Sequence, residues 1–203
     1  MQTLSKPFLP RCFWQLASLL TLVLVLTGSG INNIPTYDER VTAAWAQVEN
    51  QYQRRADLIP NLVETVQGAA DFEKETLQSV TEARAKATSV QVSAEDLNDP
   101  QKLQQFQKAQ SALGQSLGRL LAVSENYPKL QATQAFSDLQ AQLEGTENRI
   151  TVARRDYNQA VQQYNTQVRT FPTVLFAGLM GFQPRTAFEA ETGADQAPDV
   201  SFD

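Results

Sequence analysis

The chain has 203 residues, with 17 Lys and Arg against 22 Asp and Glu, no His and one Cys. Without His there is no His-ligated zinc, no Ser–His–Asp triad and no His general base, and one Cys excludes an internal disulfide or a thiolate metal cluster. The acidic balance argues against a nucleic-acid binder, which needs a basic patch to displace counterions. In chain order, residues 1–12 form a basic leader carrying Lys6 and Arg11. Residues 13–31 are the most apolar stretch, and no charge falls between Arg11 and Asp38. About 20 helical residues cross a hydrocarbon layer, so this stretch just suffices. Phe13, Leu19, Leu22 and Leu26 would be its lipid-facing anchors.

Three readings of this stretch compete. It is a retained transmembrane signal-anchor, a signal peptide cleaved near Gly28-Ser29-Gly30, or a core helix of a soluble protein. Nothing amphipathic is visible, which disfavours the core helix, and the retained anchor is the expectation. Cys12 precedes the apolar core, which disfavours a lipoprotein and leaves an inert thiol. The first basic residue beyond the stretch, Arg40, sits beside Asp38 and Glu39. The positive-inside rule then puts the N-terminus in the cytoplasm and the body outside the plasma membrane.

Residues 35–171 carry helical periodicity with one apolar face. Val41, Trp45, Val48, Tyr52, Ile59, Leu62 and Val66 form one stripe, continued by Leu77, Val80 and Ala83. Leu103, Phe106, Leu113, Leu117 and Leu120 form a second; Phe136, Leu139, Leu143, Ile150, Ala153, Tyr157, Val161, Tyr164, Val168 and Phe171 form a third. Pro35 suits a first helical turn, with Asn33 near the cap. Residues 93–100 read as a loop, Pro100 as a helix start, and Asn126-Tyr127-Pro128 and Phe171-Pro172 as helix ends. The segment 36–92 would be about 85 Å long as one helix, too long for its neighbours to cover. A break is expected at Pro60 or at Gly68, with Asp71 capping the next helix; the sequence does not choose between them. Either gives an all-α fold: an N-terminal transmembrane helix, then an antiparallel up-and-down four-helix bundle over 33–175. Residues 176–203 are the remainder, an apolar cap and an acidic tail. The cap segment 173–182 is too short to span a membrane and reads as packing on the bundle end or as interfacial membrane contact. Residues 185–203 hold five acidic residues against Arg185, and read as a disordered, solvated tail.

Two segments concentrate polar residues at helical spacing. Arg54, Asp57, Asn61 and Glu64 share a face, while Arg55 falls on the apolar stripe. Arg154, Asn158 and Asn165 share another face, next to Arg155. Such groups fix helix register through inter-helix bonds, or form a docking surface for a partner. A catalytic role for Asp57, Glu64 or Tyr157 is the third reading; carboxylates beside Arg are usually salt-bridged rather than poised acids.

The runs QYQRRADLIPNLVETVQG, DFEKETLQSVTEARAKA and VARRDYNQAVQQYNTQVRTFP, the last followed by GF, resemble the LemA family over about residues 32–182. The resemblance implies a bacterial membrane protein with one N-terminal helix and four up-and-down helices, without established catalytic activity. It also implies a scaffold or adaptor role near membrane proteases or stress proteins. The expected function is a membrane-anchored, non-enzymatic scaffold of the cell envelope. The alternatives are a membrane-remodelling or lipid-interface protein, or a secreted helical bundle after signal cleavage. Expected partners are membrane lipids and an envelope protein such as a membrane protease. A homo-oligomer stays open; no cofactor, metal, nucleic acid or small-molecule substrate is expected.

Overall fold

The computed structural model describes Gln15, residues 33–68 and residues 72–189. Among these there are six α-helices, one 3₁₀ helix and no strand. Helix α1 spans Ile34–Gln67, with Pro35 in its first turn; Asn33 caps it without a side-chain bond. It runs unbroken through Pro60 and ends at Gly68. The break therefore falls at the second of the two expected places. Gly68 keeps a right-handed φ of −68°, so the turn does not depend on glycine's extra conformational freedom.

Pro60 survives inside the helix for a reason found elsewhere in the chain. A proline removes the N–H that would bond the carbonyl four residues earlier. That carbonyl belongs to Ala56, which is buried. Arg84 Nε donates to it instead, at 2.8 Å. A side chain from the next helix thus replaces the missing backbone donor, and the orphaned acceptor is satisfied.

Helix α2 is short, Lys74–Ser89, with Glu73 at its cap position. The expected cap, Asp71, lies outside the described residues. The presumed loop at 93–100 is ordered: it contains a 3₁₀ helix, Ala94–Asn98, held by a reciprocal Ser93–Asp96 capping box. Lys102 pairs with Asp96 beside it. Helix α3, Pro100–Ser124, starts where Asp99 accepts from the amides of Gln101 and Lys102. A single turn, α4 (Pro128–Gln131), precedes α5 (Gln134–Arg169), whose cap Thr133 accepts from the Phe136 amide. Helix α6, Thr173–Leu179, follows a cis Phe171–Pro172 bond.

α1 packs along α5, and α2 packs on α3 and α1. One buried cluster joins Ile34, Trp45, Leu103, Tyr157, Val168 and Ala177. A second, at the other end, joins Ile59, Val66, Leu77, Leu120 and Phe136. The start of α1 thus meets the end of α5, so the two run antiparallel. Nearly every residue of the three apolar stripes is buried, which is what drives the helices together. Phe171 departs from its stripe: it lies past the end of α5 and is 75% exposed.

The helices do not match in length. α2 is about 24 Å long and α1 about 51 Å, at 1.5 Å per residue. The half of α1 that carries Trp45 is left without a fourth helix. Two segments fill the gap. Val92 and Leu97, just after α2, are buried there, and the Trp45 indole N–H donates to the Val92 carbonyl at 3.0 Å. Phe188 from the C-terminal segment is buried in the same cluster. Residues 183–189 lie as an extended strap on the bundle, so the expectation of a disordered, solvated tail from residue 185 is corrected for 185–189. The expectation failed because the strap carries one large apolar residue, Phe188, and is held mainly through its main chain. Residues 190–203 and, apart from Gln15, the expected anchor at 13–31, with Phe13, Leu19, Leu22 and Leu26, lie outside the described residues. Among the described residues no helix is long and apolar enough to cross a membrane.

Candidate functional site

The first polar segment lies in the middle of α1. Of its residues only Arg55 enters the bundle, where it is 3% exposed and separates the two apolar clusters. Its guanidinium donates to Glu147 at 2.8 Å, and to the Gln110 carbonyl and side-chain oxygens at 2.9 and 2.7 Å. Gln110 in turn donates to the Ala87 carbonyl at 3.3 Å. Four elements, α1, α2, α3 and α5, are tied through two side chains, Arg55 and Gln110. An open groove of about 780 Å³ between α3 and α5 leads to this layer, past Gly114 and Gly118, Gln107 and Asn148. Arg54, Asp57, Asn61 and Glu64 share a face, but that face is exposed. Asp57 there accepts from Gln53 of its own helix at 2.7 Å. The structure does not bring these four to another helix.

The second polar segment is brought together in full except for Arg155. Arg155 is exposed and pairs with Asp156 on its own helix at 3.3 Å. Tyr157-Asn158 and Tyr164-Asn165 repeat seven residues apart on α5, two turns of helix, and so share a face. Each Asn side chain makes a two-way amide pair with the strap. Asn165 donates to the Arg185 carbonyl and accepts from the Arg185 N–H, both at 2.8 Å. Asn158 donates to the Phe188 carbonyl at 3.2 Å and accepts from its N–H at 2.9 Å. The Tyr164 hydroxyl donates to the Gln183 carbonyl at 3.0 Å and the Tyr157 hydroxyl to the Thr186 carbonyl at 2.8 Å. Gln107 and Arg154 donate to the Glu189 carbonyl at 3.0 and 3.3 Å. The strap runs antiparallel to α5. Seven helical residues advance about 10.5 Å and three extended residues about 10 Å. Position 165 therefore faces 185 and position 158 faces 188 without strain in the register.

Three strap side chains are also held, and the exposed Gln183 makes the slightest contact, accepting from Asn98 at 3.1 Å. Arg185 donates to Asp38 at 2.9 and 3.2 Å and to the Ala94 carbonyl at 3.0 Å. Phe188 stacks on Trp45 at 5.9 Å between centroids, meets Tyr157 edge-on at 5.4 Å, and has the Arg154 guanidinium 4.9 Å above it. Burial pushes the Tyr157 phenol well above its ordinary range, and the nearby Arg185 charge offsets only part of that. Tyr164 is raised by burial and by Asp38. Both phenols are hydrogen-bond donors here, not proton acceptors. Sequence reasoning missed Gln110, Glu147, Asp38, Arg185 and Phe188 as partners of these motifs. The repeated Tyr-Asn pair and the lone Arg-x-x-Phe in a polar tail were the available signals.

A third feature lies at the end of the bundle where α1 begins. Ala177 of α6 is buried with Ile34 and Val168, so α6 sits at that end. Phe171, Val174, Leu175, Leu179 and Met180 are exposed on it. Residues 170–184 contain no charged side chain. Only the Thr173–Ala177 side of α6 behaves as a packed cap.

The LemA family model matches residues 44–202, a span that takes in most of α1, all of α2, α3 and α5, and the strap. The chain belongs to the LemA family. It is 23% identical over 159 residues to Protein LemA of Metamycoplasma hominis, covering 78% of this chain and 68% of that one. It is 33% identical over 87 residues to magnetosome protein MamQ 2 of Paramagnetospirillum magneticum, covering 43% of this chain and 32% of the relative. MamQ of Magnetospirillum gryphiswaldense is 29% identical over 93 residues, covering 46% and 34%. The chain spans about a third of the length of these MamQ relatives.

Proposed function

We propose that this LemA-family chain is a membrane-anchored, non-enzymatic helical scaffold of the bacterial cell envelope. Residues 13–31 hold it in the plasma membrane, with the N-terminus cytoplasmic and the bundle on the other side. The bundle supplies contacts to an envelope protein, and the role near membrane proteases that the LemA resemblance implies makes a protease the partner class to test first. The observation that carries this reading is the charge-free end formed by α6. Its exposed Phe171, Val174, Leu175, Leu179 and Met180 sit at the end where α1 begins, a few residues after the apolar stretch. An exposed apolar patch of this kind marks a membrane or protein contact, and this one is held where an anchored bundle would meet lipid. Family membership and the likeness to magnetosome proteins support a membrane-associated role. Against a catalytic role, Asp57 and Glu64 lie on an open helix face, and the Tyr157 hydroxyl is engaged with the strap.

The test uses the full chain with Cys12→Ser, expressed in a bacterium and then reconstituted in vesicles containing brominated lipid. A single environment-sensitive dye is attached through Leu179→Cys or, at the opposite end, Ala132→Cys. The expected result is a protein that resists alkaline extraction, keeps the mass of the uncleaved variant, and shows a dye quenched at position 179 but not at 132. Equal quenching at the two positions overturns the orientation. A soluble protein lighter by about the first 30 residues, as signal cleavage would leave it, overturns the anchor in favour of a secreted bundle.

A further inference from the structure

The strap contacts form a recognition device more complete than a structural tie requires. Burial of Phe188 alone would hold a chain end to the bundle. Here the α5 face also reads the main chain, through two amide pairs and two phenol donors spaced to match an extended peptide. The Thr186 N–H donates to the Leu97 carbonyl at 2.7 Å on the opposite wall. These contacts address N–H and C=O groups that any residue but proline offers. Selectivity comes mainly from two places. Position 185 takes a guanidinium against Asp38 and the Ala94 carbonyl. Position 188 takes an aromatic ring between Trp45, Tyr157 and Arg154. Gln183 is exposed and its side-chain oxygen accepts from Asn98 at 3.1 Å, a contact at the rim; Pro184, Ala187 and Glu189 are exposed, and their side chains are not selected.

We infer that this groove is a binding site for an extended peptide of the pattern Arg-x-x-Phe, filled in this structure by the chain's own residues 183–189. The occupant in function is a segment of that pattern in a partner protein. It docks as the strap leaves. Charge complementarity at Asp38 and the ring cage around Phe188 set its chemistry. The strap is the element suited to leave: it belongs to no helix, and it is joined to the bundle through a turn at Gly181, whose φ of +81° is a glycine conformation. A tethered segment competes at an effective concentration in the millimolar range. The closed state therefore resists weak or incomplete matches and admits a partner that presents the full pattern.

The inference does not depend on the membrane anchor, and its assay reads the groove alone. The probe is a dye-labelled synthetic peptide of residues 182–189, added to the full chain. Arg185→Ala/Phe188→Ala opens the site while leaving every groove residue in place. The opened chain is expected to bind the peptide at least tenfold tighter than the unaltered chain does. Replacing the peptide's Arg or Phe by Ala should weaken binding tenfold or more. N-methylation of the two amides at 185 and 188 should do the same, whereas changing the residue at 187 should leave affinity within about twofold. If the opened chain does not fold, a protease site inserted after Met180 supplies the second route. Cutting the folded chain turns the strap into a free fragment that the labelled peptide should replace. An opened or cut chain that keeps its helical signal and cooperative melt yet binds no peptide overturns the inference. So does equal binding of the N-methylated peptide, or strap exchange between two copies that never admits free peptide.

Discussion

Pro60 sits in the interior of α1 because Arg84 caps the buried Ala56 carbonyl that proline leaves without a donor. If so, Arg84→Ala strands the buried Ala56 carbonyl, and an unsatisfied buried acceptor costs about 1–3 kcal/mol. Taking about 2 kcal/mol, a domain of this size should lose roughly 4–8 °C in Tm. Pro60→Ala returns an N–H to α1, which can bond the Ala56 carbonyl along the helix. In that background Arg84→Ala should cost about 1–2 kcal/mol less, because the acceptor stays satisfied. The Arg84 stem loses the same packing in both backgrounds, so that contribution cancels in the cycle. Urea denaturation of the four proteins gives the coupling. An Arg84→Ala cost equal in both backgrounds would refute the argument and leave Pro60's accommodation to packing alone.

Two further outcomes follow from the polar sites. Arg55→Met leaves the buried Gln110 without its donor and should destabilise by about 1–3 kcal/mol; Glu147 is half exposed and re-solvates, which keeps the loss below that of a fully buried pair. Adding Gln110→Leu should recover part of it, because the unpaired amide oxygen is removed while the buried Ala87 carbonyl loses its long 3.3 Å donor, and the urea midpoint checks both. The Tyr157 and Tyr164 phenols have folded pKa values raised above the ordinary value of 10.0. The stability their neutral forms contribute is complete below pH 10 and is lost as pH rises from there through the folded values. The urea midpoint should therefore fall above about pH 10, and Tyr157→Phe should flatten that fall.

The helices were legible because the apolar face repeats with the helical period, and burial obeys that period almost residue by residue. Arg55 was legible as an intruder on the stripe, but its partners were not: Gln110 and Glu147 lie 55 and 92 residues away, and no local spacing encodes such pairing. Pro60 misleads for the same reason. Its effect on the helix is local, while its remedy, Arg84, comes from the next helix. The polar face of Arg54, Asp57, Asn61 and Glu64 shows the opposite failure. The spacing correctly places them together, yet spacing alone does not say whether a face meets a neighbour or water.

The strap explains why composition was a poor guide to the tail. A segment with few apolar residues cannot repay its ordering by burying surface, and residues 183–189 offer only Phe188. The remaining stabilisation comes from α5, which supplies ready-placed partners for the strap's own amides. Those partners are what the Tyr-Asn repeat encodes, so the order of the tail is written in a helix 20–30 residues upstream. The same arrangement compensates for the shortness of α2. A second helix as long as α1 would have covered Trp45 and left no groove. A 16-residue helix leaves Trp45, Asp38 and the two Tyr-Asn pairs facing a gap the width of one extended chain, and the fold closes that gap with a segment it can release.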